Sequence, residues 1–172
     1  NIYPEKSLEV FDAVGLGDGE HIISGIISDA AAGDLKRTYR SSRPTDINLF
    51  PYPDRKYLPR TAIVDTGLLN GAYSELPSTA VLFSRGCPFK CDFCANLVQT
   101  PARFRDPELI TEEIEHLKEH YGVKGLVIKD DNIFALDNEV SRRTLSAIGA
   151  TGMKWRANSR ANDIPLELIK LA

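Results

Sequence analysis

The three cysteines of this 172-residue chain lie within eight consecutive positions, at Cys87, Cys91 and Cys94, with the spacing CxxxCxxC. Thiolates this close together on one loop can converge on a single metal centre, and soft sulfur ligands favour zinc, copper(I) or iron–sulfur clusters. A cubane iron–sulfur cluster is usually held by four cysteines, so three cysteines would leave one iron without a protein ligand. That iron would be open to a substrate or cofactor, which indicates catalysis rather than a purely structural site.

A zinc site and a disulfide are the alternative interpretations of these cysteines. Zinc requires a fourth ligand, and the histidines available are His21, His116 and His120. His116 and His120 lie four residues apart on one face of a predicted helix, a spacing that could bind a metal in a zinc-stabilised interaction module. Histidines on a charged helix surface are more often simply solvated. A disulfide is disfavoured because the cysteine count is odd and no secretory signal is visible.

Composition excludes several classes of protein. With 21 basic and 24 acidic residues the formal net charge is −3, so no global basic surface indicates a nucleic-acid partner. No run approaches the roughly 18 apolar residues of a membrane span. These features predict a soluble protein of a reducing compartment, the cytoplasm. Because the chain starts at Asn1 without a methionine and stops inside an amphipathic pattern at Ala172, we expect a fragment of something longer.

Alternating strands and helices must position the cysteine loop. Residues 80–84 form a continuous apolar run, which predicts a parallel strand buried on both faces. The cysteine loop follows at its carboxyl end, where parallel α/β folds place their active sites. A helix is predicted from Asp106-Pro107 to Gly122, and a second strand over 123–128. The apolar stripe of this helix consists of Ile110, Ile114, Leu117 and Tyr121.

Polar residues follow the second and third predicted strands. Asp130 and Asp131 end the second strand and could accept hydrogen bonds from an ammonium group; a helix N-cap or polar turn is the alternative. A helix over 138–148 separates them from an imperfectly alternating segment, 153–160. At the end of that segment Arg160 could bind a carboxylate bidentately, or form a surface salt bridge.

The first part of the chain predicts the end of another α/β unit. In residues 1–35, a strand over 10–16 is followed by a glycine-punctuated turn and by a helix from Glu20 that ends at Gly33. The free N–H groups at such a helix start could receive an anionic group, and a tight turn without a ligand is the equal alternative. Prolines and the lack of periodic apolar residues then predict an extended linker over 36–78.

The cysteine stretch resembles the signature of the radical S-adenosylmethionine superfamily, which is CxxxCxxC with an aromatic residue just before the last cysteine. The run Gly86-Cys87-Pro88, the aromatic Phe93 and the preceding strand carry the resemblance. It implies that the three cysteines ligate three irons of a 4Fe-4S cluster and that S-adenosylmethionine chelates the fourth through its amino and carboxylate groups. Phe93 would pack near the adenine. Reductive cleavage would then yield a 5′-deoxyadenosyl radical.

The resemblance extends to the strand ends. Asp130-Asp131 resembles the short motif that contacts the methionyl amino group in the family, where the usual form is Gly-Gly-Glu. Arg160 would face the S-adenosylmethionine carboxylate or the substrate. The implied partners are a small-molecule substrate and an electron donor such as a flavodoxin or ferredoxin.

The stretch 11–20 resembles the last strand and turn of the cobalamin-binding domain that precedes the radical domain in one large subfamily. The family pattern there is roughly Gly-Glu-Gly-Glu, and this chain has Gly17-Asp18-Gly19-Glu20, a mild departure. The resemblance implies that Gly17, Gly19 and Glu20 contact cobalamin. It also implies that 36–78 is the connector between the two domains.

The fold class expected from these resemblances is α/β. Residues 79–172 would form a partial, truncated parallel β/α barrel of the radical S-adenosylmethionine type, with three of the family's six strand–helix units. The tail of a Rossmann-like cobalamin-binding domain would precede it. The expected activity is cobalamin-dependent methyl transfer or related radical chemistry. A methylthiotransferase of the same superfamily is the alternative, but it would need extra N-terminal cysteines, and residues 1–86 contain none.

Overall fold

A computed structural model describes residues 3–94, 101–161 and 164–172. The chain divides into two compact units, Asn1–Asp46 and Ile47–Ala172. The segment 36–78, predicted to be a linker, is therefore shared between the two units. None of the helices in the described residues is long and apolar enough to cross a membrane.

The first unit contains a pair of short parallel strands, in which Val14 lies opposite Thr38 and Leu16 opposite Arg40. The strand predicted over 10–16 begins only at Val14. Phe11 is 63% exposed, and its N–H closes a helical turn by donating to the Ser7 carbonyl at 2.9 Å, so its backbone cannot join a strand. The elements of this unit are α1 (Pro4–Ser7), β1 (Val14–Leu16), α2 (Ile23–Ala32) and β2 (Thr38–Arg40).

The helix predicted from Glu20 to Gly33 is present but begins later. A 3-10 turn at Gly19–His21 precedes α2, so the α-helix itself starts at Ile23. Gly33 ends the helix in the left-handed conformation, with φ 74°, which confirms the predicted stop and is the conformation that glycine adopts without steric cost.

Residues 47–78 contain short helical turns rather than an extended chain. Three of them are 3-10 turns, at Ile47–Leu49, Arg55–Tyr57 and Gly71–Tyr73, and the fourth is the helix α3 (Arg60–Ile63). Arg55 anchors this segment because its guanidinium is buried and donates to the Glu113 carboxylate at 3.1 Å. The prolines that predict a linker therefore lie in a segment packed onto its own unit.

The second unit is built on a three-stranded parallel sheet. Its strands, in spatial order, are β3 (Ser78–Val81), β6 (Gly125–Ile128) and β7 (Lys154–Ala157). In its register Ser78 lies opposite Gly125, which in turn lies opposite Lys154. The three carboxyl ends therefore meet at one edge, as predicted for parallel strands. The remaining elements of the second unit are β4 (Ser84–Arg85), β5 (Arg103–Phe104), α4 (Pro107–Tyr121), α5 (Glu139–Ala150) and α6 (Leu166–Leu171).

The helices cover the sheet through the apolar positions that the sequence predicts. α4 follows Asp106 and ends at Gly122, whose φ is 68°, which confirms the predicted limits. Asn138 caps α5 reciprocally with Ser141, each side chain accepting from the other residue's N–H at 2.9 and 3.1 Å. The buried core of this unit comprises Val81, Phe83, Ile110, Ile114, Leu117, Val123, Leu126, Ile128, Ile133, Leu145, Ile148 and Leu168.

Gly125→Ala is expected to destabilise the second unit by about 1–3 kcal/mol, because the central strand has no room for a methyl group there. That methyl would clash with Ser78 Oγ and lie 2.6 Å from Leu69 Cδ1. Urea unfolding followed by far-ultraviolet circular dichroism measures the change. Gly25→Ala in α2 is the control, since its methyl meets none of the described atoms within 4 Å and is expected to stabilise the helix by about 0.5–1 kcal/mol. Equal effects in the two variants would refute the packing argument.

Candidate active site at the carboxyl edge of the sheet

The cysteine loop is closed at its base by a short antiparallel pair. β4 pairs with β5, so that Ser84 lies opposite Phe104 and Arg85 opposite Arg103. The predicted strand 80–84 is therefore divided, with β3 ending at Val81 and β4 turning to face a new partner. The pairing fixes where the loop leaves and re-enters the fold; residues 95–100 lie outside the described ranges.

The three cysteines follow β4 directly. None of the three forms a disulfide; Cys87 and Cys91 are half-buried and Cys94 is exposed. The Cys94 N–H donates to the Cys91 carbonyl at 2.9 Å, which makes a tight turn between the last two thiols. Within residues 3–94, 101–161 and 164–172, no three cysteine, histidine or acidic side chains are grouped closely enough to hold a metal. The donor set nevertheless fits an iron–sulfur cluster, because it consists of soft, unoxidised thiols on one loop.

The predicted zinc alternative finds no support in the position of the histidines. His116 and His120 both lie on α4, and their rings stack on one another with centroids 4.3 Å apart. The His116 ring also contacts that of Tyr52, at 5.2 Å. Among the described residues these histidines share no metal-binding group with the cysteines.

The two aspartates at the end of β6 have different environments. Asp130 is fully buried, and its Oδ1 accepts the Phe83 N–H at 2.8 Å, whereas Asp131 is exposed. Burial raises the pKa of Asp130, and the Asp131 charge adds to the rise. The Ser84 hydroxyl and the N–H groups of Phe83 and Ser84 partly offset it. Even so, neither Asp130 Oδ2 nor Ser84 Oγ has a partner in good hydrogen-bond geometry among the described residues.

Asp130→Asn is expected to alter how stability depends on pH. Because the folded pKa of Asp130 is raised above its ordinary value of 3.8, the stability this group contributes is fully present below 3.8 and is lost as the pH rises through the folded pKa. As the pH rises from 3.8 through the folded pKa of Asp130, the asparagine variant should therefore gain stability relative to the wild type. Urea denaturation at a series of pH values measures the difference, and a difference that does not vary with pH would contradict a raised pKa.

Asn132 joins the ends of β6 and β7 and was not predicted from the sequence. Its buried Oδ1 accepts from the Phe134 N–H at 3.1 Å and from the Ser159 hydroxyl at 3.2 Å. The Ile133 N–H donates to the Asn158 carbonyl at 3.2 Å. The one available signal was position, since Asn132 directly follows the aspartate pair at a strand end.

Arg160 and Phe89 make a contact between the third strand end and the cysteine loop. The Arg160 Cζ lies 4.1 Å from the centroid of the Phe89 ring, a cation–π geometry. The guanidinium predicted to face a carboxylate thus lies over an aromatic ring of the loop. Phe93, predicted to pack near an adenine, is 93% exposed, and its role stays a prediction.

The glycine turn of the first unit is held by polar contacts within that unit. Gly17 has φ 86°, and the Asp18 carboxylate accepts the Thr45 N–H at 2.7 Å. The Thr45 hydroxyl donates to the Glu20 carboxylate at 3.4 Å. Gly17, Gly19 and Glu20 thus lie on one ordered turn, and their predicted contact with cobalamin stays a prediction.

The family model for the radical SAM superfamily matches residues 81–171. This match covers the cysteine loop, the aspartate pair, Arg160 and more than half of the chain. The chain therefore belongs to the radical SAM superfamily.

Several known proteins are similar to this chain over most of its length. An uncharacterised methyltransferase of Pyrococcus horikoshii, PH0819, is 29% identical over an aligned length, gaps included, of 170, and the alignment covers 88% of this chain and 35% of the relative. An anaerobic magnesium-protoporphyrin IX monomethyl ester cyclase of Rubrivivax gelatinosus is 26% identical over an aligned length of 188, covering 95% of this chain and 32% of the relative. The chain thus spans about a third of the length of these two relatives.

One solved structure, the apo form of the cobalamin-dependent S-adenosylmethionine radical enzyme OxsB, is also similar. It has 13% sequence identity and a TM-score of 0.42, and the comparison covers 99% of this chain and 35% of that one. Such a TM-score does not establish a shared fold.

Proposed function

We propose that this chain is part of an enzyme that cleaves S-adenosylmethionine reductively to a 5′-deoxyadenosyl radical, with a 4Fe-4S cluster held by Cys87, Cys91 and Cys94. The observation that carries the proposal is the set of three cysteines, none of them in a disulfide, that follow β4 directly, inside the region matched by the superfamily model. When bound, the cluster supplies the electron for this cleavage.

The protein's own residues would bind and orient S-adenosylmethionine at the sheet edge. Asp131 is exposed at the end of β6, so its carboxylate is accessible to the methionyl ammonium group. Arg160 is the cation at the end of the neighbouring strand and would meet the carboxylate of S-adenosylmethionine or of the substrate. Phe93 precedes the last cysteine with its ring exposed, where it could pack on the adenine.

The reaction that follows would be methyl transfer to an unactivated carbon or a related radical reaction on a small-molecule substrate. The names of the two relatives, a methyltransferase and a cyclase, support this range of outcomes. Residues 79–172 would then form the first half of a radical-type barrel. An external donor such as a flavodoxin or ferredoxin would supply the reducing equivalent.

Cobalamin is the further cofactor that we propose. Residues 1–35 would be the end of its binding domain, with Gly17, Gly19 and Glu20 at the ligand. The parallel β1–β2 pair and the ordered turn after β1 support this assignment, because the N–H groups of such turns are suited to polar ligand groups.

Metal and product analysis test the proposal. The chain, reconstituted anaerobically with iron and sulfide, is expected to retain about four irons and a similar amount of sulfide. On reduction with S-adenosylmethionine present it should release methionine and 5′-deoxyadenosine. One zinc per chain without sulfide would instead identify a zinc-stabilised module and would overturn the proposal.

A further inference from the structure

We propose that Asp130 is a positioning residue whose buried carboxylate fixes the entrance of the cysteine loop, and that Asp131 alone of the pair contacts S-adenosylmethionine. The inference rests on the proposed function for the identity of the ligands. It divides between two adjacent residues a role that the sequence assigns to both.

The hydrogen bond that the Asp130 carboxylate accepts from the Phe83 N–H continues the pairing of the two chain segments beyond the point where the backbone ladder stops. The last backbone bond between β6 and β3 runs from the Lys129 N–H to the Val81 carbonyl, at 2.8 Å. Two residues after Val81, the Phe83 N–H donates to the Asp130 side chain rather than to a backbone carbonyl, also at 2.8 Å. The Asp130 side chain, two residues beyond the end of β6, thus holds the chain in place after β3 has ended.

Phe83, at the start of the cysteine loop, is held by both its backbone groups and its side chain. Its N–H donates to Asp130, its carbonyl accepts the Arg105 N–H at 2.8 Å, and its side chain is fully buried in the core. Arg105 directly follows β5, so the bond from its N–H ties the entering and leaving strands of the loop together, and the bond to Asp130 ties Phe83 to the segment after β6. Cys87 lies four residues after Phe83, and a shift of this stem would displace the first thiol.

The two carboxylates differ in solvent exposure, and this difference separates their proposed roles. Asp130 has 0% exposed surface, and its second oxygen, Oδ2, lies as deep as the similarly buried Ser84 Oγ. A methionyl ammonium group would have to enter this closed environment to reach Asp130. It would reach the exposed Asp131 carboxylate directly from solvent.

Hydrogen exchange on the cluster-free chain tests the positioning role without any cofactor. Asp130→Ala removes the hydrogen-bond acceptor of the Phe83 N–H, so exchange at this buried amide is expected to become about tenfold faster or more. Asp130→Asn retains an acceptor oxygen and should stay within about threefold of the wild type, which keeps the test valid if the alanine variant unfolds. Asp131→Ala is the matched control and should leave this amide unchanged. Wild-type protection of Phe83 in Asp130→Ala, or loss of protection in Asp130→Asn, would overturn the proposal.

The same variants separate positioning from contact with S-adenosylmethionine. In the reduced, reconstituted protein, Asp130→Asn should retain the cluster and the change in its electron paramagnetic resonance signal on addition of S-adenosylmethionine. Asp131→Ala should retain the cluster but lose that change. If Asp130→Asn lost the change while Asp131→Ala kept it, Asp130 would be the contact and the division of roles would be wrong. A wild-type chain that bound no cluster would refute the proposed function, whereas the exchange rates would still decide the role of Asp130.

Discussion

Replacing any one of Cys87, Cys91 and Cys94 by alanine is expected to reduce cluster retention to a small fraction of the wild-type value. Each thiol would supply the only protein ligand of one iron, and the proposed cluster would already have one iron without a protein ligand. The loss of one thiol would leave two ligands for about four irons. Iron and acid-labile sulfide per chain, measured after anaerobic reconstitution and desalting, test this expectation.

The control for the cysteine variants is the double variant His116→Ala, His120→Ala. On α4, His116 is half-buried and His120 is exposed. Their rings stack on each other and share no metal-binding group with the cysteines among the described residues, so their removal should leave iron and sulfide unchanged. If the histidine variant lost its metal while a cysteine variant retained half or more, the assignment of the three ligands would be wrong.

Glu113→Ala is expected to destabilise the second unit by about 3–5 kcal/mol, the cost of leaving a buried charge without its partner. Glu113 is 1% exposed and Arg55 is 9% exposed, and their ion pair joins residues 47–59 to α4 at 3.1 Å. After the substitution the Arg55 guanidinium would retain only carbonyl acceptors, at Pro53 and Ala80. Urea denaturation at neutral pH measures the change.

Glu115→Ala is the matched control for Glu113→Ala. Glu115 lies on the same helix and pairs with Lys118 at 2.9 Å, but both side chains are substantially exposed. Its loss should cost at most about 0.5 kcal/mol. The double variant Arg55→Met, Glu113→Leu removes both charges and should regain most of the stability lost in Glu113→Ala. Equal costs for Glu113→Ala and Glu115→Ala would show that the buried pair does not anchor the segment.

The elements that could be predicted are those whose signal is local. The helix stripe from Ile110 to Tyr121 and the stop at Gly122 depend on neighbouring residues, and the structure confirms them. The strand predicted over 80–84 is confirmed only in part, because β3 ends at Val81, and Ala80 and Leu82 are exposed rather than buried. The cysteine motif is likewise contained in eight positions. Such patterns need no knowledge of distant partners, because periodicity and turn chemistry act within a few residues.

The features that could not be predicted depend on contacts between distant parts of the chain. The β4–β5 pair has two residues in each strand, too few for any alternation to be visible. Residues 36–78 lack periodicity, so the buried ion pair of Arg55 with a residue 58 positions away gives no local signal. The contact of Arg160 with Phe89 likewise joins residues that are far apart in the sequence.

The aspartate pair shows the same limit at the level of the site. Asp130 and Asp131 are identical in type and adjacent, so their composition and position predict the same role for both. Their difference arises from the side of β6 that each one faces, which depends on where β3 ends and Phe83 begins. The register of the parallel pair therefore decides which carboxylate is buried.

The most direct test of the central claim is electron paramagnetic resonance of the anaerobically reconstituted, reduced chain, recorded with and without S-adenosylmethionine. We expect a reduced 4Fe-4S signal whose shape changes when S-adenosylmethionine is added, because the iron without a protein ligand would gain one. No cluster signal, with zinc bound in its place, would contradict the assignment of this chain to a catalytic iron–sulfur enzyme.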